Sequence, residues 1–133
     1  MMQYALDTNS VTYYLKGNKT IIDRVANEAD NENIIVIPPT VFYEIKRWLL
    51  PINSIKKLEI FEILCSKAGI GFIDRKILET ASGIFSDLQK RGIAIGDNDI
   101  LIAAYCIHHD LTLVTNNERH FEYIEKLRIA NWL

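Results

Sequence analysis

The sequence predicts an α/β fold of three layers, α/β/α, built on a mostly parallel central sheet in a single domain spanning residues 1–133. Short apolar runs that stop abruptly at turn-forming residues recur along the chain. Tyr4-Ala5-Leu6 ends at Asp7, Ile34-Ile35-Val36-Ile37 ends at Pro38-Pro39, and Leu111-Thr112-Leu113-Val114 ends at Thr115. Apolar runs this short, stopped by turn-forming residues, read as buried strands. The stretches between them space their apolar residues at three- and four-residue steps, as amphipathic helices do. Strands that alternate with helices are joined by right-handed crossovers, and such connections make a mostly parallel sheet.

The chain opens on Met1 to Leu6, a strand that stops in the polar turn Asp7-Thr8-Asn9-Ser10. Val11 to Lys16 follows as a short helix with exposed aromatics, closed by Gly17. Thr20 to Asp30 places Ile21, Ile22, Val25, Ala26 and Ala29 on one helical face. The second strand, Ile34 to Ile37, halts at the prolines, where Pro39 and Thr40 suit the start of a helix that runs to Pro51. Asn53 or Ser54 caps the next helix, which reaches Lys67. Gly69 to Ile73 has the composition of a short third strand. Asp74 then caps a long helix to Arg91, with Ile77, Ala81, Ile84 and Leu88 along one side and Gly92 at its end. Gly96-Asp97-Asn98-Asp99 opens an apolar helix through Ile107, Leu111 to Val114 forms the fourth strand, Glu118 to Ile124 is helical, and Arg128 to Trp132 is a final edge strand.

A domain of 133 residues buries a core without disulfides or metals to staple it. Cys65 and Cys106 lie far apart in apolar helical patterns, as core thiols of a reducing compartment do. No basic leader precedes Asp7 and no apolar run reaches membrane-spanning length, so the expected location is cytoplasmic with no membrane partner. A net charge of −2 does not announce a nucleic-acid binder, although gathering four acids into one pocket leaves the remaining residues slightly basic.

Those four acids are Asp7, Glu44, Asp97 and Asp99. Asp7 stands at the carboxyl end of a strand, the edge where open α/β sheets bind ligands. Glu44 sits one turn into the helix after the second strand. Asp97 and Asp99 together exceed the single side chain an N-cap needs. Carboxylates from three segments in one crevice repel unless a cation is present, and oxygen ligands without a Cys or His cluster favour Mg²⁺ or Mn²⁺.

Leu6-Asp7-Thr8-Asn9, Pro39-Thr40-Val41-Phe42-Tyr43-Glu44-Ile45-Lys46-Arg47, Ile95-Gly96-Asp97-Asn98-Asp99-Ile100-Leu101-Ile102-Ala103-Ala104 and Leu113-Val114-Thr115-Asn116-Asn117, with His120-Phe121 after it, occur in this order across nearly the whole chain. In this arrangement the sequence resembles the PIN-domain ribonucleases, and among them the VapC-type toxins of toxin–antitoxin pairs. The resemblance implies a PIN-like fold and a metal-dependent endoribonuclease with Mg²⁺ or Mn²⁺ as cofactor. Asp7, Glu44 and Asp99 match the family's catalytic and metal-binding acids. Asn117 stands near the place of a fourth ligand and would act through its amide oxygen or a water, and His120 occupies a place where an acid is common. Thr8, Asn9, Asp97, Thr115 and Asn116 would support the ligands. Lys46, Arg47 and Arg119 are the foremost candidates to contact RNA phosphates, followed by Arg75, Lys76 and Arg128. Trp48 departs from the family, standing where relatives commonly carry a small residue.

The resemblance also implies RNA as substrate, products with 5′-phosphate and 3′-hydroxyl ends, a cognate antitoxin and a homodimer. Apolar side chains around Val11 to Leu15 and around Glu44 exceed what one core would hide, which agrees with partners. The alternative is a catalytically silent PIN-like module that binds RNA or protein. His108 and His109 end a helix, where an imidazolium complements the helix dipole.

Overall fold

The computed structural model describes residues Met1–Leu133. Its sheet has four strands, β1 (Gln3–Leu6), β2 (Ile34–Val36), β3 (Thr112–Val114) and β4 (Arg128–Ala130), in the order β2-β1-β3-β4. All three pairings are parallel, with Tyr4 opposite Ile35 on one side and opposite Thr112 on the other, and Thr112 opposite Arg128. Seven helices connect them: α1 (Thr8–Leu15), α2 (Lys19–Asp30), α3 (Pro39–Leu49), α4 (Ile55–Ala68), α5 (Arg75–Lys90), α6 (Asp97–His108) and α7 (Glu118–Phe121). Tyr4, Ala5 and Leu6 in β1, and Thr112, Leu113 and Val114 in β3, are buried without alternation. Both faces of the central strands are therefore covered, which makes three layers.

The chain moves outward from β1 to β2 through α1 and α2. It then returns across β1 by way of α3, α4, α5 and α6 to β3, and continues to β4. The direction of winding reverses between β1 and β3. At such a switch point the loops leaving the two strands part, and a crevice opens beyond their carboxyl ends.

Ile21, Ile37, Phe61, Ile77, Leu88, Ile102, Leu113 and Phe121 are fully buried in one continuous core. Side chains of this size each contribute roughly 1.5–3 kcal/mol by leaving water. Trp132 closes the sheet beyond β4, packing edge-on against Tyr4 at 4.8 Å between ring centroids.

Several local expectations change. The segment Gly69–Ile73 is not a strand: it makes one parallel bridge, between Ile37 and Ile70. Pro38 and Pro39 offer no amide hydrogens to extend a ladder past Ile37. Gly71 is also pressed against Tyr105, so that a Cβ there would lie 1.9 Å from the Tyr105 Oη. The helix expected to reach Ile124 stops at Phe121, and the chain turns so that Phe121 and Ile124 both point into the core. Helix α1 begins earlier than its apolar spacing suggests, at Thr8, because Asp7 caps it. Its aromatics Tyr13 and Tyr14 pack against the core rather than standing free. No helix is long and apolar enough to cross a membrane.

Candidate active site

The crevice at the β1–β3 switch point is built around Asp7. Its amide donates to Val114 O at 3.1 Å, which continues the β1–β3 ladder by one bond, and its Oδ1 accepts from the Ser10 amide at 2.7 Å. One residue thus ends a strand and caps a helix. Ser10 adds a second tie between the segments, its Oγ donating to Val114 O at 3.0 Å. Asp7 is only 4% exposed. Burial raises its pKa above the ordinary carboxylate value, hydrogen bonds from Thr115 and Ser10 partly restrain the rise, and the nearby Asp99 charge adds to it. The Cys106 thiol lies behind it, its pKa raised by burial and by the Asp7 charge.

Asp99 arrives from the first turn of α6, whose N-cap is Gly96. Asp97 is therefore not the N-cap. It sits in the same first turn, exposed, beside Leu78, Phe85 and Leu101 in a shallow cleft between α5 and α6. The Asp99 Oδ2 lies 2.8 Å from His120 Nε2, a nitrogen sealed from solvent that forms no aligned hydrogen bond. His120 is carried there by α7, which Phe121 anchors in the core.

Glu44 projects from α3 and is nearly buried. Its Oε1 accepts from the Thr8 hydroxyl at 3.0 Å, and its Oε2 lies 3.9 Å from Arg47 Nη2. Thr8 is thus the polar link from the Asp7 turn to the Glu44 helix. Thr115 is completely buried: its Oγ1 accepts from the Asn117 amide at 2.9 Å while its hydroxyl bears on Asp7. Asn9, Asn116 and Asn117 are exposed, with Asn116 Nδ2 donating to Tyr13 Oη at 3.5 Å.

The basic candidates divide. Arg47 flanks Glu44, and Arg119 is exposed on α7 next to His120. Lys46 is drawn away by a close ion pair with Glu62 of α4. Arg128 pairs with Asp110 at 2.8 Å and lies beside Thr112, where β3 begins, which is the opposite edge of the sheet. Arg75 and Lys76 belong to the same far edge, because Asp74 beside them meets His108 at the other end of α6. Those three cations are removed from the crevice by topology.

Asp7 feels the charge of Asp99 as the smallest of the influences on it, and no group of three or more Asp, Glu, His or Cys side chains is disposed as a ready metal-binding set. Glu44 is engaged by Thr8 and Arg47, and Asp99 by His120. A desolvated carboxylate near a second acid is stabilised by a proton or a cation. The pair therefore fits a hard divalent cation, with Glu44 one hydroxyl away. Ser10 is a contributor not singled out from sequence, although a serine three residues after Asp7 is the spacing of a helix cap.

Comparison with known proteins gives the family and the fold. The PIN-domain family model matches residues 4–127. The chain is 33% identical to ribonuclease VapC2 of Haemophilus influenzae, with all of both chains aligned. It is 26% identical to the tRNA(fMet)-specific endonuclease VapC of Salmonella typhimurium over 99% of each. The crystal structure of VapBC2 from Rickettsia felis bound to a promoter DNA fragment contains a chain that superposes with a TM-score of 0.91 at 29% identity, covering 99% of this chain and all of that one.

Proposed function

This chain belongs to the PIN-domain family and to its VapC ribonucleases, and from that premise we propose that it is the RNA-cleaving toxin of a toxin–antitoxin pair acting through Asp7, Asp99 and Glu44. The observation that carries the assignment of residues is the buried Asp7 carboxylate at the β1–β3 switch point, its pKa raised by burial, with the charge of Asp99 close enough to add to the rise. Acids perturbed by burial and by a neighbouring charge in a cleft gather at functional sites.

Asp7 and Asp99 would hold Mg²⁺ or Mn²⁺, which when bound supplies positive charge to polarise the scissile phosphate. Ser10 and Thr115 keep the Asp7 carboxylate aimed and partly offset the rise of its pKa. Glu44, fixed by Thr8, orients the attacking water. Water adds to phosphorus as the P–O3′ bond breaks, leaving 5′-phosphate and 3′-hydroxyl ends. Asn117, exposed at the mouth, adds an uncharged oxygen, and Asn9 and Asn116 shape the rim, whereas Asp97 lines the cleft between α5 and α6. Arg47 and Arg119 are the cations placed to meet backbone phosphates.

The relatives solved as VapBC complexes support an antitoxin partner. Exposed Ile63, Phe72, Leu78 and Phe85 on and between α4 and α5 support a homodimer. The proposed compartment is the cytoplasm.

The test is incubation of purified protein with total RNA in Mg²⁺, Mn²⁺ or EDTA, with fragment ends mapped. Cleavage with either metal, none in EDTA, and 5′-phosphate products are expected. The lack of a ready three-ligand set favours one alternative, a catalytically silent PIN-like module that binds RNA or protein. RNA left intact under every metal condition, by protein that remains folded, would establish that alternative. Expression should slow growth, with relief by a co-expressed antitoxin.

A further inference from the structure

Helix α3 turns Val41, Ile45 and Leu49 into the core, so Tyr43 and Trp48 are not required there. They stand 59% and 47% exposed, beside the nearly buried Glu44. Between them lies Arg47, its Cζ 5.2 Å from the Tyr43 ring centroid and 5.8 Å from that of Trp48. The same guanidinium reaches to 3.9 Å from Glu44 Oε2. A cation and two aromatic faces are thereby assembled within one side chain's reach of a candidate catalytic carboxylate.

We propose that Tyr43, Arg47 and Trp48 form a stacking platform for an unpaired nucleobase of the RNA substrate, next to the phosphate being cut. The proposal rests on the ribonuclease reading above and adds the side chains that receive a nucleobase beside the cut. Aromatic faces stack on any base, and a guanidinium between them serves the adjoining phosphate. A base inside a duplex is already stacked on its neighbours, so only a loop, bulge or single strand can offer one. The platform therefore selects unpaired RNA and is tolerant of sequence at that nucleotide.

RNA fits this surface better than an apolar protein segment. A helix packed over Tyr43 and Trp48 would strip water from Arg47, whose only carboxylate partner is 3.9 Å away and mostly covered. That is a poor return for desolvating a cation. A phosphodiester instead brings its own negative charge to the guanidinium.

The molecule carries its own reporter. Of its two tryptophans, Trp48 is half exposed and Trp132 is buried against Tyr4, so a base stacked on the platform alters the emission of Trp48 alone. In EDTA, where no cleavage is expected, the protein is titrated with a single-stranded oligoribonucleotide and with an abasic oligomer of the same length and phosphate count. Quenching by the base-bearing strand, little by the abasic one, and loss of the response in Trp48→Phe are expected. In Mn²⁺, Tyr43→Ala and Trp48→Ala should each raise KM for a single-stranded substrate roughly tenfold while leaving kcat within a factor of two. Hairpins cut in the stem as readily as in the loop would overturn the proposal, as would unchanged KM in both alanine variants. Sedimentation showing that Trp48→Ala dissociates a dimer without changing KM would assign the patch to protein contact and also overturn it. Failure of the ribonuclease reading looks different: wild-type protein would cut no RNA in any metal, whatever the titration in EDTA shows.

Discussion

The carboxyl ends of β1 and β3 lie side by side, Leu6 opposite Val114, and pass into segments of similar composition, Asp7-Thr8-Asn9 and Thr115-Asn116-Asn117. The first enters an eight-residue helix capped by the Asp7 side chain, while the second enters a four-residue helix with no side-chain cap. One end buries a carboxylate. The other buries a hydroxyl and leaves its amides in water. A charge is tolerated at the end of β1 because the end of β3 serves it: Val114 O fixes the Asp7 amide and Ser10, and Thr115 bonds the carboxylate. Two matching turns in sequence thus become a buried carboxylate and its mount.

Removing the charge itself should have the largest effect. Asp7→Asn and Asp99→Asn should each lower metal-dependent cleavage on the order of a thousandfold, about 4 kcal/mol of barrier, with unchanged circular dichroism. Wild-type rates in either variant would sink the assignment. Asp7→Asn carries a second signature in metal-free protein. The Asp7 pKa is raised on folding from an ordinary 3.8, so the folded state binds this proton more tightly than the unfolded state. The stability it contributes is complete below the unfolded value and is lost as pH rises through the folded one. The melting temperature of Asp7→Asn should therefore match wild type at acid pH and exceed it by a few degrees, roughly 3 °C, near neutrality.

Taking away the mount should do less. Thr115→Val removes the hydroxyl that holds the Asp7 pKa down, so the acid limb of the pH–rate profile should move upward. Cleavage at neutral pH should fall roughly tenfold, and a profile superposable on wild type would separate Thr115 from the reaction.

Giving the second turn a charge like the first tests the comparison from the other side. Asn117→Asp should tighten Mn²⁺ binding several-fold by titration calorimetry, and an unchanged affinity would place Asn117 away from the metal. Ser10→Ala, the smallest perturbation, loses the bond to Val114 O and should cost about 1 kcal/mol of stability with cleavage nearly intact. Chemical denaturation alongside a cleavage assay reads both quantities.

Much of this arrangement is legible in the sequence, for local reasons. Asp7 and Asp99 stand out because acids at a strand end and at a helix start interrupt apolar runs, and Glu44 because it follows β2 by one helical turn. The parallel sheet follows from the alternation of elements. Contacts made across the crevice leave no such trace. That His120 meets Asp99 depends on how α7 leaves β3, and that Lys46 is diverted to Glu62 depends on how α4 folds back along α3. Gly69–Ile73 has the composition of a strand and fails as one for a tertiary reason, the prolines ending the neighbouring strand and Tyr105 crowding Gly71.

The strand order also sets a schedule for synthesis. β1 is made first, but its neighbour on one side is β3, more than a hundred residues later, with Asp99 and His120 near the same end of the chain. A polypeptide emerging from the ribosome can fold β1, β2 and the first helices while the crevice still lacks its second wall. On the proposed site, a nuclease assembled this way has no complete crevice to turn on the RNA of the machine that is making it until its last quarter has been translated.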